Sequence, residues 1–364
     1  MKVNRAALFA AIKPLASVAS NRPIIPITAN AALIEKGGRL LLTAQNKASQ
    51  VTIASAIAAE EGFKTTIPAQ KLADILGATD ADEVSIDFKP DSDIATIRAG
   101  KARFQVHTMD PDSFPFFSPV KEVLADLRLP AAEFLQGLRV TAVASATKDA
   151  RRMLNGVYFD VADQQFTLVA TNGHHLHYYR TTTDRAGEPV GKILPIEEVQ
   201  HILSTFSEEG EILIRMTSRT LVFRQGGVLL VTKVVDDKYP DWRRVVTTEP
   251  TPWFTVNHDE LVELAKMAQL ASGKDGTVRL STSASDSKLQ IFTVTENQEN
   301  FEGSLDIQDV QHELVKSFSN RYLLDAITAV PTDQFCLGKY PVEDGSPLVL
   351  QQGGAFATIM PIRA

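Results

Sequence analysis

The chain repeats itself three times at a spacing near 125 residues, and that periodicity restricts what it can fold into more than any motif does. An amphipathic helical stretch runs from Asn4 to a Val18-Ala19-Ser20 ending. A second starts at Ala131 and ends in Val143-Ala144-Ser145, and a third runs from His258 to Leu270-Ala271-Ser272. The closing serines are 125 and 127 positions apart. After each comes a strand-turn-strand signature of alternating apolar residues: Ala32–Ile34 with Leu40–Thr43, Val157–Phe159 with Phe166–Val169, and Val278–Leu280 with Leu289–Phe292. The intervening turns carry Gly37-Gly38, Asp163-Gln164 and Asp286-Ser287.

A second helix is expected in each copy, over Ile67–Leu76, Leu194–Leu203 and Phe318–Ile327, with Pro68, Pro195 and Ser319 at equivalent entry positions. The first two copies also end alike, Asp112-Ser113-Phe114-Pro115 matching Asp237-Lys238-Tyr239-Pro240. Boundaries therefore fall near residues 121 and 247. Each copy reads as two short helices and roughly six to eight strands, with one sheet face left for the helices. The fold class is α+β, three tandem domains over residues 1–121, 122–247 and 248–364. Like modules joined through like junctions bend into an arc, and an arc with complementary ends closes head to tail into a ring lined by helices.

Length agrees, since 364 residues exceed one ordinary domain. With 44% hydrophobic and 22% charged residues the composition is that of a globular protein, not a fibre or a membrane span. A net charge of −7 excludes indiscriminate coating of nucleic acid, so any DNA-binding cations must be gathered on one surface. The single cysteine, Cys336, makes no intrachain disulfide and no zinc site, which fits a reducing cytoplasm. Lys2, Arg5 and the apolar run Ala6–Ile12 imitate a secretory signal, but Lys13-Pro14 interrupts that run and similar segments recur deep in the chain.

Catalytic motifs are thin. His174, His175 and His177 invite a metal reading, yet on a strand only His175 and His177 share a face, and no carboxylate or thiol stands at ligand spacing. The expectation is no metal, with His174 serving a binding site and the other two on a strand surface. Cys336, between Phe335 and Leu337, reads as inert core. Gly273-Lys274 lacks the rest of a phosphate loop, and no dinucleotide fingerprint occurs. Tyr239 and Trp242 read equally as core anchors or as pocket walls.

Five ordered stretches resemble one known family: Arg152–Phe159, Val169–Leu176, Tyr239–Val245, Phe318–Asp325 and Met360–Arg363. Gly100–Phe104 ahead of Phe114-Pro115 fits as well. Across its whole length the chain resembles the bacterial DNA polymerase III β subunit, the β clamp. The resemblance implies a non-enzymatic, cofactor-free processivity factor: a head-to-tail homodimer that encircles duplex DNA without sequence preference. It also implies partners, namely replicative and repair polymerases and a clamp loader, which dock short peptide motifs between the second and third domains.

Carried over by position, the peptide pocket would use Arg151, Leu154, Thr171, Gly173, His174, Leu176 and Pro240. Arg244, Val245, Ser346, Thr358, Met360, Pro361 and Arg363 complete it. DNA contacts would come from Arg22 and Lys148, helped by Arg5, Lys13, Lys71, Arg139, Arg152, Lys266 and Arg321; Arg22 could instead cap the first helix. The subunit interface would take Ile75, Phe104, Val106 and Leu270, with Lys71 and Lys101 opposite Glu299 and Glu302, unless these are strand core and solvated charge.

The chain departs from the family pattern at Asn172 and His175, at Ala44–Ala48, and at Ser319, Thr358 and Ala364. Those departures bear on the preferred peptide more than on the fold, and are what a divergent plasmid, phage or paralogous copy would carry. Two rivals to a replication clamp remain: a clamp-fold peptide-binding paralogue outside replication, and a hydrolase built on the histidine cluster.

Overall fold

One element string, β-α-ββββ-α-βββ, is written three times in the computed structural model, which describes residues 1–364 apart from 21, 89–92, 121, 186, 274–275, 284, 295–299, 314, 339–344 and 363–364. The first copy comprises β1 (Lys2–Asn4), α1 (Arg5–Val18), β2 (Asn30–Lys36), β3 (Arg39–Gln45), β4 (Ser49–Ala58), β5 (Lys64–Pro68), α2 (Ala69–Gly77), β6 (Glu83–Phe88), β7 (Ile94–Ala99) and β8 (Ala102–His107). The second comprises β9 (Ala125–Pro130), α3 (Ala131–Ala142), β10 (Gly156–Ala162), β11 (Gln165–Thr171), β12 (His175–Thr182), β13 (Val190–Pro195), α4 (Ile196–Thr205), β14 (Glu211–Met216), β15 (Thr220–Gln225) and β16 (Val228–Lys233). The third comprises β17 (Thr251–Val256), α5 (His258–Ser272), β18 (Thr277–Ser283), β19 (Lys288–Val294), β20 (Asn300–Gln308), β21 (Val315–Ser319), α6 (Asn320–Ala329), β22 (Gln334–Leu337), β23 (Leu348–Gln352) and β24 (Ala355–Ile359).

Local chemistry explains the element ends. Asn4 accepts from the amide of Ala7, and Asn257 from that of Glu260, each satisfying a donor at a helix start. The second helix of each copy begins two residues later than its apolar pattern predicts. Pro68, Pro195 and Ser319 still pair with Asn30, Gly156 and Thr277, so each preceding strand keeps them. Gly37 and Gly38 turn β2 into β3 at φ of 63° and 75°, as a two-residue turn that matches strand twist requires. Asp163 and Gln164 make the same turn at 53° and 58°.

Packing divides the described chain into two units: Met1–Phe134 with Glu197–Val234, and Leu135–Ile196 with Val235–Ala364. In the first, a four-stranded sheet has the order β1-β6-β7-β8, and an eight-stranded sheet has the order β5-β2-β3-β4-β16-β15-β14-β9. Helix α1 packs on α2 and against β3 and β4, burying Leu8, Ile12 and Leu15. In the second, twelve strands run β13-β10-β11-β12-β24-β23-β22-β17-β20-β19-β18-β21, with α5 packed on α6 and on β19 and β20. Trp253, Phe254, Phe318 and Phe335 fill the core there.

Each unit contains one antiparallel seam between copies, and the two seams share a register. In the first, Val228 faces Ile53 and Leu230 faces Val51; in the second, Ala355 faces Tyr179 and Ala357 faces His177. The positions correspond, because Val228 and Ala355 each open the second strand of a hairpin opposite Gln225 and Gln352. Likewise Gln50 and Leu176 each stand opposite the last residue of the preceding strand, Gln45 and Thr171.

Candidate functional site

A cleft of about 690 Å³ lies beside the second seam. Its floor is set by strand pairing: Leu176 on β12 stands opposite Thr358 on β24, so both side chains share one sheet face. On that same face, two residues along each strand, Tyr178 stacks on Phe356 with centroids 4.6 Å apart, and nearby Tyr158 stacks on Tyr239 at 4.6 Å. Tyr239, 6% exposed, is core and does not line the cleft. Its burial pushes the phenol pKa upward. Trp242 serves both roles, lining the cleft while 3% exposed.

Trp242 is held by charge. Its indole N–H donates to buried Asp160 at 3.0 Å, Arg243 pairs with the same carboxylate at 2.7 Å, and the Arg243 guanidinium lies 4.6 Å from the indole centroid. Arg151 is fixed more locally. It donates to Asp149 through Nε at 3.0 Å and Nη2 at 2.8 Å, and this side-chain pairing holds the Asp149 carboxyl down at about 2. Gly173 beside that guanidinium has φ +92°, a backbone conformation that side-chain-bearing residues rarely adopt, so glycine suits the site. Arg244, largely exposed, pairs with Asp241 at 2.8 Å.

Of the residues expected at this pocket, Arg151, Leu154, Thr171, Gly173, His174, Leu176, Pro240, Arg244, Val245, Thr358 and Met360 line the cleft. Ser346 and Pro361 adjoin its walls through Pro347 and Met360, and Arg363 lies outside the described residues. The sequence reading missed Asp241 and the rim formed by Val246, Thr247, Thr248 and Glu249. That stretch links two copies, where neither periodicity nor motif gives a signal. Cys336 is half-buried, and burial raises its thiol pKa, which disfavours the reactive thiolate.

One expectation is overturned. His175 and His177 are not strand surface but 3% and 0% exposed, because helices α3 and α6 cover the face of β12 that they share. His175 stacks on Tyr322 of α6 at 4.2 Å, and the His177 Nδ1–H donates to the Val140 carbonyl at 2.9 Å. Burial holds both neutral, lowering His175 to about 3 and His177 to about 4. The unfolded chain, with histidines near ~6.5, therefore binds more protons between about pH 6.5 and 4. Stability should fall as pH drops through that window, by up to ~1.4 kcal/mol per pH unit for each histidine. His175→Phe keeps the stack on Tyr322 and should flatten the slope. Urea unfolding between pH 6.5 and 4.5 checks this, and an unchanged slope contradicts it.

The candidate DNA-contacting cations are spread over five helices: Arg5 and Lys13 on α1, Lys71 on α2, Arg139 on α3, Lys266 on α5 and Arg321 on α6. Lys13, Lys71, Arg139 and Lys266 are exposed, as are Arg22 and Lys148 in loops and Arg152 at the start of a short 3-10 turn of helix. Two are partly structural. Arg5 donates to the Leu76 carbonyl at 3.1 Å, and Arg321 sits 3.7 Å from Asp325. Among the interface candidates, Leu270 is 87% exposed and Phe104 half-buried, while Ile75 and Val106 are 3% and 6% exposed within one chain. Lys71, Lys101 and Glu302 are exposed, and Glu299 lies outside the described residues.

Known proteins share this arrangement. The beta sliding clamp of Proteus mirabilis is 27% identical over 331 residues, covering 89% of each chain. That of Escherichia coli K12 is 26% identical over 365 residues, covering 97% of each. Among solved structures, the DNA polymerase III subunit beta of Pseudomonas aeruginosa superposes with TM-score 0.89 at 23% identity over 100% of both chains. The Bacillus subtilis DNA polymerase sliding clamp gives 0.88 at 19% identity, over 100% of this chain and 98% of that one. Residues 1–118, 128–241 and 243–354 match, in order, the N-terminal, central and C-terminal domains of DNA polymerase III beta subunit, and the chain belongs to that family.

Proposed function

We propose that this protein is a DNA sliding clamp: a homodimeric ring that encircles duplex DNA, slides without reading sequence, and tethers polymerases and other partners through the cleft beside the second seam. The observation that carries this reading is the repeated seam. Two junctions between copies share one register, and a matching pair of strand edges is left over. Strand β8 ends its sheet, and β20 meets β17 only through Ile307 and Gln308, so its Asn300–Asp306 edge is open among the described residues. An open edge invites another strand.

Applying the shared register to these edges pairs β8 of one chain with β20 of a second. Ala102 takes the place of Val228 and Ala355, and Asn300 that of Gln50 and Leu176. Ala102 then faces Gly303, Arg103 faces Glu302 and Phe104 faces Phe301 of the second copy. An opposite-charge pair and an aromatic pair across adjacent strands both favour association. Two such seams close two chains head to tail and use up both matching edges, so this contact does not propagate a filament. Domain boundaries near 121 and 247 follow the same scheme, with the first helices and their cations facing the enclosed DNA.

Lysine and arginine on helix faces neutralise phosphates without sequence information, which suits a protein that must slide. The protein makes and breaks no bond. A cleft with an apolar floor and charged rim suits a linear peptide with leucine-like or aromatic anchors. Ring opening by a clamp loader, and work in the cytoplasm beside the replicative polymerase, complete the proposal; among the described residues no helix is long and apolar enough to cross a membrane.

The test is topological. Loaded on a nicked circle, the protein should survive gel filtration with the DNA at moderate salt and be lost once the circle is cut. Dissociation from circle and linear DNA at equal rates would count against encirclement and favour a peptide-binding paralogue.

A further inference from the structure

The shared register makes the first seam a counterpart of the second, and a cleft of about 710 Å³ opens beside it. Its lining matches the peptide cleft position by position: Gln45 for Thr171, Pro115 for Pro240, Phe117 for Trp242 and Lys233 for Met360. The chemistry has changed. Ile24 and Ile25 stand 73% and 53% exposed beside a floor of Phe117 and Pro115, which gathers apolar surface at one place in the cleft. Around them Arg22, Lys47 and Lys233 form a cationic rim. Lys233 is held in place, its Nζ donating to the Lys47 carbonyl at 2.8 Å and lying 5.1 Å from the Phe117 centroid. Glu198, the one carboxylate lining the cleft among the described residues, is 5% exposed and accepts from Ser49, so its charge is engaged inward rather than at a ligand.

We infer that this is a second docking site, and that its ligand is an acidic linear peptide carrying an apolar anchor pair. The peptide's anchors cover Ile24, Ile25 and Phe117, and its carboxylates meet Lys47 and Lys233, leaving Arg22 at the cleft edge as a candidate DNA contact. A nucleic acid would satisfy the cations but offers only thymine methyls and sugar C–H groups to cover the isoleucines, less apolar surface than a leucine or phenylalanine side chain. The inference rests on the peptide reading of the second seam, from which the first cleft takes its likeness.

The experiment uses the full chain and a fluorescein-labelled peptide with a leucine-phenylalanine pair flanked by aspartates and glutamates. The wild type should bind two per chain and Met360→Asp one. The remaining site should weaken about fivefold or more on Lys47→Glu and again on Ile25→Asp, which are both exposed positions. Loss of all binding in Met360→Asp would overturn the inference. So would residual binding that ignores Lys47→Glu and Ile25→Asp, that survives replacement of the anchor pair by serines, or that a single-stranded oligonucleotide displaces as well as unlabelled peptide does. A wild type that binds one peptide per chain, lost on Lys47→Glu and kept on Met360→Asp, would uphold this site and refute the peptide reading of the other.

Discussion

Phe104→Asp is expected to convert the dimer into monomers at micromolar concentration. Phe104 is half-buried on β8, the outermost strand of its sheet, and the shared register sets it against Phe301 of the second chain. The substitution removes an aromatic contact and asks a carboxylate to enter a strand seam without a partner. Central interface residues of this kind are worth about 2–4 kcal/mol, so the dissociation constant should rise by roughly 30- to 1,000-fold. Sedimentation velocity reads the change directly. Retention on circular DNA should disappear with the dimer, while peptide binding at the second seam should persist. A Phe104→Asp chain that remains dimeric would mean that the chains meet elsewhere.

Met360→Asp is the complementary case. Met360 lines the peptide cleft just past β24, and its amide donates to the His174 carbonyl at 2.9 Å, so the backbone holds the side chain at the cleft wall whatever the residue. A carboxylate there faces apolar anchors and should cost about 2–3 kcal/mol, weakening peptides at this cleft by roughly 30- to 150-fold. The dimer, and the lifetime on circles of rings once loaded, should be untouched, while loading and polymerase processivity on a primed circle should both fall steeply, because loader and polymerase dock at this cleft. Equal processivity with both proteins would separate the cleft from polymerase recruitment.

Much of this was legible in the sequence because the signals are local. Helix endings at Ser20, Ser145 and Ser272, and turn pairs such as Gly37-Gly38, recur at a fixed spacing, and the element string follows them. What the sequence hides is non-local. Nothing near His175 reveals that Tyr322 of α6, about 145 residues on, will pack over that face of β12 and help bury both histidines. The two seams carry the sheets across the copies, so the compact units divide inside the middle copy and not at its ends. The burial of Ile75 had a visible signal, since Leu72, Ile75 and Leu76 share one helical face. The Val246–Glu249 rim had none.

The seam between chains is the claim on which encirclement depends, and a cross-link tests it most directly. In a Cys336→Ser background, Arg103→Cys combined with Glu302→Cys puts thiols at positions that the shared register sets face to face, with Cβ atoms about 4.5–5.5 Å apart. A short thiol cross-linker should then give a denaturation-resistant species of twice the 39.8 kDa chain mass, and one loaded on a circle should stay linked to it in denaturant. A chain that runs only as monomer after cross-linking, or that cross-links as readily when Glu302→Cys is moved to Asp306, would contradict the seam and the ring built on it.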